Sequence, residues 1–185
     1  FAVQVPESLI LLSNFCQTEK LAGLKYYQFC DLNVAGIPLR VAKIGYTGER
    51  GFEIIVDHKG ANDLWDKLSS VIPKAGFATA DILRIEAGFI LFCNECKLKI
   101  KPYELGLDKF TSKPLNPHDN TAIELVCFQA EAEAETLLWH HPSSIPERPG
   151  TGMITITSAC YSPVAESVLG LGFVNKKDIQ KTTKF

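Results

Sequence analysis

The first part of the chain alternates between apolar and polar residues in segments that predict short strands. The alternating segments are 1–5, 26–32, 38–44 and 52–57. Ala35 and Gly36 form a turn signal between the second and third segments, which predicts a hairpin there.

Helical periodicity occurs in three stretches of the same region. The predicted helices are a short one with Leu9, Leu12 and Phe15 on one face, 60–72, and 79–87. Thr79 would be the N-cap of the third helix, and Gly88 would end it. Asp81 and Arg84 are three residues apart on that helix, so they could pair at its surface.

The pattern changes near Thr111. Residues 111–120 contain Pro, Asn and Ser, a composition typical of a linker. Beyond it the chain predicts only short strands, at 122–129, 136–139, 151–158 and 168–174. Several short strands without helices indicate a small barrel or sandwich. The sequence therefore predicts an α+β domain at 1–112 and a mainly β domain, a small barrel or sandwich, at 113–185.

Composition and charge exclude several classes of protein. The chain has 185 residues, of which 46% are hydrophobic and 22% charged, which is ordinary for a globular protein with a core. The net charge of −2 gives no basic excess for a nucleic-acid surface. No apolar run approaches the length of about 18 residues that a membrane span requires. We therefore expect neither a nucleic-acid nor a membrane partner.

Six cysteines bear on the compartment and on metal binding. Their spacing is irregular and no secretory signal is visible, so free thiols in a reducing cytoplasmic setting are expected. Cys93 and Cys96 form a C-x-x-C pair, which can bind a metal or act in redox chemistry. Because no second pair stands at zinc-ribbon spacing, we predict no metal site.

Residues 45–53, G-Y-T-G-E-R-G-F-E, form a segment that we call the glycine loop. Glycine is needed where backbone takes a positive φ or closely approaches another group. Three glycines between two predicted strands therefore indicate a specially shaped loop. Such a loop can be a simple hairpin turn with surface charges, or it can present its carboxylates Glu49 and Glu53 to a ligand.

Four further segments follow the glycine loop in order. They are D-I-L-R-I-E-A-G at 81–88, P-Y-E-L-G-L at 102–107, T-S before Y-S-P at 157–163, and L-G-F-V at 171–174. In this order and spacing the set resembles the glycine-cleavage T-protein (aminomethyltransferase) family. Residues 1–6, F-A-V-Q-V-P, are similar to the A-x-Q-G-P segment of that family, with Val5 in place of glycine.

This resemblance implies a fold and an activity. The fold is a folate-binding α+β region followed by a small C-terminal β-barrel. The activity is transfer of a one-carbon unit from an aminomethyl group, carried on the lipoyl sulfur of a carrier protein, to tetrahydrofolate. The implied ligand is therefore tetrahydrofolate, and the implied protein partner is a lipoyl carrier.

The resemblance also implies roles for four side chains. Glu53 matches the glutamate that faces the pterin, whose amino group and ring N–H are two adjacent donors that one carboxylate can accept. Glu49 competes for that role, and Tyr46 could line the cavity or simply pack. Arg84 lies in the motif at 81–88 and is a candidate for the folate site, but an internal ion pair with Glu86 that braces the loop, which Asp81 could join, is the favoured role.

Departures from the family pattern limit the prediction. Ala80 stands where the family has an arginine that contacts folate, and no residue matches the family's catalytic aspartate, so no catalytic residue is predicted. We expect a piece of a longer protein lacking the N-terminal part of the first domain, a chain with parts missing, or a degenerate relative. The alternative function is a non-catalytic folate-binding or scaffold protein, as in the iron–sulfur-assembly branch of the superfamily.

Overall fold

A computed structural model of the chain describes residues 1–17, 19–97, 99–112, 122–131, 139–140 and 154–178. The chain divides into two compact units, Phe1–Ala80 (unit 1) and Asp81–Phe185 (unit 2). The domain boundary that the sequence predicts near residue 112 stays a prediction, and most of the predicted linker lies outside the described residues.

Unit 1 contains a four-stranded antiparallel sheet with the order β1-β4-β3-β2. Its strands are β1 (Ala2–Gln4), β2 (Phe29–Val34), β3 (Ile37–Ala42) and β4 (Gly51–Val56). Val34 pairs with Ile37 across a two-residue turn, which confirms the predicted hairpin. β2 begins later than predicted because Tyr27 takes a positive φ of 67° and its N–H donates to the carbonyl of Lys43.

Three helices pack on one face of this sheet. They are α1 (Ser8–Ser13), α2 (Glu19–Ala22) and α3 (His58–Ser69). Leu12, Leu21 and Leu64 from these helices join Phe52 and Ile54 of β4 in one buried cluster. α2 is a single turn, too short to show the helical period on which the sequence prediction rested. The opposite face of the sheet carries none of this cluster.

Helix α3 begins two residues before the predicted start. The side chain of Asp57 accepts a hydrogen bond from the N–H of Lys59 at 2.9 Å and so caps the helix. A capping carboxylate needs extended backbone followed by a helical turn, and Asp57 has φ −62° and ψ 144°. The predicted strand 52–57 therefore ends at Val56, and its last residue belongs to the helix start.

Unit 2 contains a second four-stranded antiparallel sheet, with the order β5-β8-β7-β6. The strands are β5 (Ile123–Ala130), β6 (Trp139–His140), β7 (Thr155–Ser162) and β8 (Ser167–Asn175). Parts of the predicted strands 136–139 and 151–158 lie outside the described residues. The described strands form an open ladder from β5 to β6, so closure into a barrel stays a prediction.

The helical part of the chain from 77 to 110 begins with α4 (Phe77–Glu86), which spans the division between the units. α5 (Phe92–Glu95) and two 3₁₀ helices, Pro102–Leu105 and Asp108–Phe110, follow. The prediction of Thr79 as an N-cap is wrong, because α4 begins at Phe77 and Thr79 lies inside it. The predicted end at Gly88 is close to the observed one. Within the described residues, no helix combines the length and apolar character needed to span a bilayer.

The core of unit 1 gives a test of this packing. Leu64 of α3 is 0% exposed, whereas Ile55 of β4 points to the opposite face and is 63% exposed. Leu64→Ala should lower the free energy of unfolding by about 2–5 kcal/mol, because it leaves a cavity as well as losing buried area. Urea denaturation followed by circular dichroism measures the loss.

Ile55→Ala is the matched control and should cost about 1 kcal/mol or less, since only strand propensity and partial contact are lost. Equal losses for the two variants would show that the helices do not cover the face assigned to them.

Candidate functional site

Glu53 lies in the middle of β4 and is half-buried. Its neighbours Phe52 and Ile54 are 4% and 2% exposed and belong to the helix-covered core. Because successive side chains of a strand point to opposite faces, the Glu53 side chain stands on the face away from α1–α3. We call this the outer face of the first sheet.

The residues directly opposite Glu53 are small. Glu53 pairs with Ala2 of β1 and with Ala42 of β3, so a methyl group lies on either side of the carboxylate. Directly opposed residues on one face of an antiparallel sheet have Cβ atoms only about 5 Å apart. With alanine on both neighbouring strands, no large side chain stands directly opposite the Glu53 carboxylate.

A fixed ion pair shares the outer face with Glu53. Arg40 of β3 donates to both oxygens of Asp31 in β2, at 2.8 and 3.1 Å, and its guanidinium lies 4.3 Å from the ring centre of Phe29. The hydrogen bond from Arg40 lowers the pKa of the Asp31 carboxyl. Arg40 is therefore already matched with a carboxylate of its own.

The other two predicted ligand residues of the glycine loop lie at the surface. Tyr46 is 40% exposed and Glu49 is exposed. Gly48 has a φ of 78°, a conformation that L side chains rarely adopt, so glycine is required at this position. The N–H of Glu49 donates to the hydroxyl oxygen of Thr47 at 3.3 Å, and this hydrogen bond fixes the backbone of the loop at Glu49.

Arg84 is in a different environment, inside unit 2. Its side chain is 0% exposed and its guanidinium donates four hydrogen bonds. The acceptors are Asp81 Oδ1 at 2.8 Å, the Phe89 carbonyl at 3.1 Å, Glu95 Oε2 at 3.4 Å and Ser158 Oγ at 2.7 Å. The expected pair with Asp81 is present, but it is buried where a surface pair was expected.

Glu95 of α5 is the second carboxylate of this buried network. Its Oε1 accepts from Thr157 at 2.6 Å and from Ser158 at 2.7 Å, and its Oε2 accepts from the Leu91 N–H at 2.6 Å. The register of β7 against β8 shifts between Ile156 and Ser158. This β-bulge turns two consecutive hydroxyls, on Thr157 and Ser158, toward one carboxylate, which a regular strand would not do.

Glu86 does not pair with Arg84, which corrects that expectation. Side chains two positions apart on a helix, such as Arg84 and Glu86, point about 200° away from each other. Asp81 is three positions from Arg84 and lies on the same face, so it pairs with Arg84 instead of Glu86. Glu86 Oε1 instead accepts from Ser162 Oγ at 2.6 Å. The R-I-E segment of α4 is thus hydrogen-bonded to β7 at two points. Arg84 contacts Ser158, 74 residues away, and Glu86 contacts Ser162, 76 residues away.

Sequence reasoning missed Glu95 and also Asn94, whose Nδ2 donates to Ser158 Oγ at 3.0 Å. Both residues lie within the C-x-x-C segment, which drew attention to its cysteines.

All six cysteines are free. Burial raises the pKa of the Cys160 thiol to about 11, with Glu86 and Asp81 acting in the same direction. Cys160 therefore stays protonated at neutral pH and serves as a small apolar residue. Among the residues that the structure describes, no group of three or more His, Cys, Asp or Glu is placed to hold a metal ion.

The four predicted site residues thus occur in two separate settings. Tyr46, Glu49 and Glu53 belong to unit 1, two on the glycine loop's exposed part and one on the outer face of the sheet. Arg84 belongs to the buried network of unit 2. A cleft of about 530 Å³ in unit 1 is a third feature; Cys16, Lys20 and Asn33 line it, and no residue of the glycine loop does.

Comparison with known proteins identifies the family. A family model described as the GCVT N-terminal domain matches residues 1–114, which include all four predicted site residues. The chain belongs to the glycine-cleavage T-protein family. The resemblance inferred from the glycine loop and the motifs that follow it is confirmed.

Curated relatives of the T-protein family match different lengths of the chain. An aminomethyltransferase of Streptomyces avermitilis is 39% identical over 113 residues, which are 58% of this chain and 30% of the relative. An aminomethyltransferase of Thermotoga petrophila is 30% identical over 189 residues, which are 95% of this chain and 50% of the relative. The chain therefore spans half or less of the length of these relatives.

A solved structure supports the fold. The glycine cleavage system aminomethyltransferase T from Bartonella henselae aligns with a TM-score of 0.54 and 17% identity, covering 94% of this chain and 75% of that one. At this identity the likeness concerns the fold alone. It agrees with a mixed α and β chain that contains two antiparallel sheets.

The buried network predicts a large effect of removing one carboxylate. Glu95→Ala should lower the free energy of unfolding by about 3–5 kcal/mol, because Arg84, Thr157 and Ser158 lose a buried acceptor. Urea denaturation gives the value. Glu124→Ala on β5 is the control; Glu124 is exposed, and its loss should change stability by about 0.5 kcal/mol or less. A small effect at Glu95 would contradict a structural role for the network.

Proposed function

We propose that this chain forms part of the folate-binding region of a tetrahydrofolate-dependent aminomethyltransferase. The reaction transfers a one-carbon unit from an aminomethyl group on lipoyl sulfur to tetrahydrofolate and releases ammonia. The observation that carries the proposal is the family match over 1–114, which includes the glycine loop and Glu53. The relatives named aminomethyltransferase support the same reaction class.

Glu53 is the proposed pterin ligand. A carboxylate accepts the amino group and the neighbouring ring N–H of a pterin in the fork-like way it meets a guanidinium. Glu53 is half-buried on a strand that is paired on both sides, so its backbone is held rigidly. The flanking Ala2 and Ala42 place no large side chain directly opposite it. These features favour Glu53 over Glu49, which is exposed on the loop.

The other predicted residues take supporting roles in this proposal. Tyr46, partly exposed at the start of the glycine loop, would line the ligand site. Arg84 donates to four acceptors inside unit 2, which favours its role as an internal ion-pair residue over direct contact with folate. We assign no residue of this chain to the transfer step itself.

The wider setting follows from the family. We propose a lipoyl carrier protein as the donor partner and the cytoplasm as the compartment, in keeping with the six free thiols. We also propose that the second sheet belongs to the family's small C-terminal barrel.

One observation favours the alternative function. Ala80 lies on α4 where the family's folate-contacting arginine would be, and losing a charged donor removes about 1.5–3 kcal/mol of hydrogen bonding. A non-catalytic folate-binding or scaffold relative of the iron–sulfur-assembly branch would be compatible with such a loss. Weak folate binding without transfer in the full-length protein would support that alternative.

Titration with 5-formyltetrahydrofolate tests the folate proposal. Glu53→Gln keeps the side-chain volume but replaces one acceptor oxygen with a donor that faces the pterin donors. We expect calorimetry to show binding weakened about tenfold or more, which corresponds to the loss of one charge-assisted contact.

Two matched variants make the result specific. Glu49→Gln tests the competing carboxylate and should have a smaller effect, and Glu124→Gln on exposed β5 should have none. Absence of binding by the intact full-length protein would contradict the folate proposal. A larger effect at Glu49 than at Glu53 would move the pterin contact to the loop.

A further inference from the structure

The side chain of Gln4 lies between the two ends of the glycine loop. Its amide Nε2 donates to the carbonyl of Ile44 at 3.0 Å and to the carbonyl of Phe52 at 3.3 Å. Ile44 precedes the loop and Phe52 is next to Glu53. One amide group from β1 therefore ties the entry of the loop to its exit.

The other end of the same amide reaches the middle of the loop. The Thr47 hydroxyl donates to Gln4 Oε1 at 3.5 Å, and the oxygen of that hydroxyl accepts the N–H of Glu49 at 3.3 Å. A chain of hydrogen bonds thus runs from Gln4 through Thr47 to the backbone of Glu49. Gln4 thus bonds directly to Ile44, Thr47 and Phe52, each of which lies within two residues of a predicted ligand residue.

Two of the three glycines in the loop are explained by how closely they approach β1, Gly45 by the Gln4 side chain and Gly51 mainly by backbone. A Cβ on Gly45 would collide with the Gln4 side chain, whose Oε1, Cδ and Nε2 are its nearest atoms. A Cβ on Gly51 would instead collide with backbone, the Val3 carbonyl and the Gln4 Cα, as well as with the Gln4 side chain. Neither glycine has a positive φ, so the requirement is space and not conformation.

We propose that Gln4 is the positioning residue of the folate site, acting by holding the glycine loop in the shape that presents Glu49 and Glu53. The ligand part of this inference rests on the proposed function. The steric part, that Gly45 is glycine because the Gln4 amide occupies the space beside it, does not.

A double-mutant cycle tests the steric part. Alanine at 45 fits only if the Gln4 side chain moves out and gives up its hydrogen bonds. Gly45→Ala and Gln4→Ala therefore remove the same interactions, and each should lower the Tm by roughly 3–8 °C. The double variant Gln4→Ala/Gly45→Ala should melt within about 1 °C of Gln4→Ala alone, because the effects are not additive.

Gly51→Ala is the matched control for this cycle. Its added methyl group would meet backbone atoms that Gln4→Ala leaves in place, so its penalty should persist in the Gln4→Ala background. Additive effects of Gly45→Ala and Gln4→Ala would overturn the steric coupling, and so would an unchanged Tm for Gly45→Ala. Rescue of Gly51→Ala by Gln4→Ala would also contradict it.

The ligand part is tested by titrating 5-formyltetrahydrofolate at a temperature well below each Tm. Gln4→Ala and Gly45→Ala should bind about tenfold more weakly than the unmodified chain. Leu68→Val in α3 lowers stability through the core of unit 1 without touching the loop, and it should keep the affinity unchanged. A purely structural role of Gln4 would give the same affinity as Leu68→Val.

The outcomes separate the two proposals. Binding by the unmodified chain that Gln4→Ala leaves intact overturns the positioning role while the folate proposal stands. If the unmodified chain and the full-length protein both fail to bind, the folate proposal fails and the thermal cycle alone decides whether Gln4 holds the loop. Weakened binding with a non-additive cycle supports both.

Discussion

The interior of unit 2 depends on the burial of one positive charge, the guanidinium of Arg84. A buried cation is tolerated only when carboxylates and other acceptors surround it, and here they come from α4, the Phe89 carbonyl, α5 and β7. Helix α5 has only four residues and would not form by itself. Its Glu95 is held by Arg84 and by the two hydroxyls that the bulge of β7 aims at it. The short helix and the irregular strand are thus consequences of the same requirement for acceptors.

Unit 1 is built on a different principle, which keeps these charged residues out of its core. Apolar side chains from α1–α3 and one face of the sheet form its core, and Glu53, Arg40 and Asp31 stand on the outer face. Side chains alternate between the two faces of β4. Phe52 and Ile54 pack against the helices, and Glu53 between them points to the outer face. A carboxylate in this position is fixed by backbone pairing on both sides without being used by the core.

This difference explains how much the sequence could predict. The β2–β3 hairpin, α3 and the outward direction of Glu53 follow from local periodicity and turn chemistry, because each depends only on residues that are close in sequence. The pairing of Arg84 with Asp81 is also local, because the spacing of three is visible in the sequence. Its burial is not local: it depends on Ser158, 74 residues away, and on a bulge that no residue pattern marks. The same holds for Gln4, which looks like an ordinary polar residue of a short strand until Ile44 and Phe52 are brought beside it.

The family motifs in this chain are of two kinds, those that bond to each other inside unit 2 and the glycine loop at the surface of unit 1. The R-I-E segment of α4 bonds to the T-S segment of β7 and to the S-P segment at its end inside unit 2, and a protein could keep these contacts for the fold alone. The glycine loop is different, since its Tyr46 and Glu49 are exposed and its hydrogen bonds to Gln4 set the loop's shape without using either carboxylate. Neither the exposed Glu49 nor the half-buried Glu53 belongs to the apolar core that holds unit 1 together. Residues 45–53 therefore support the proposed ligand site, whereas Arg84 supports only the family and its fold.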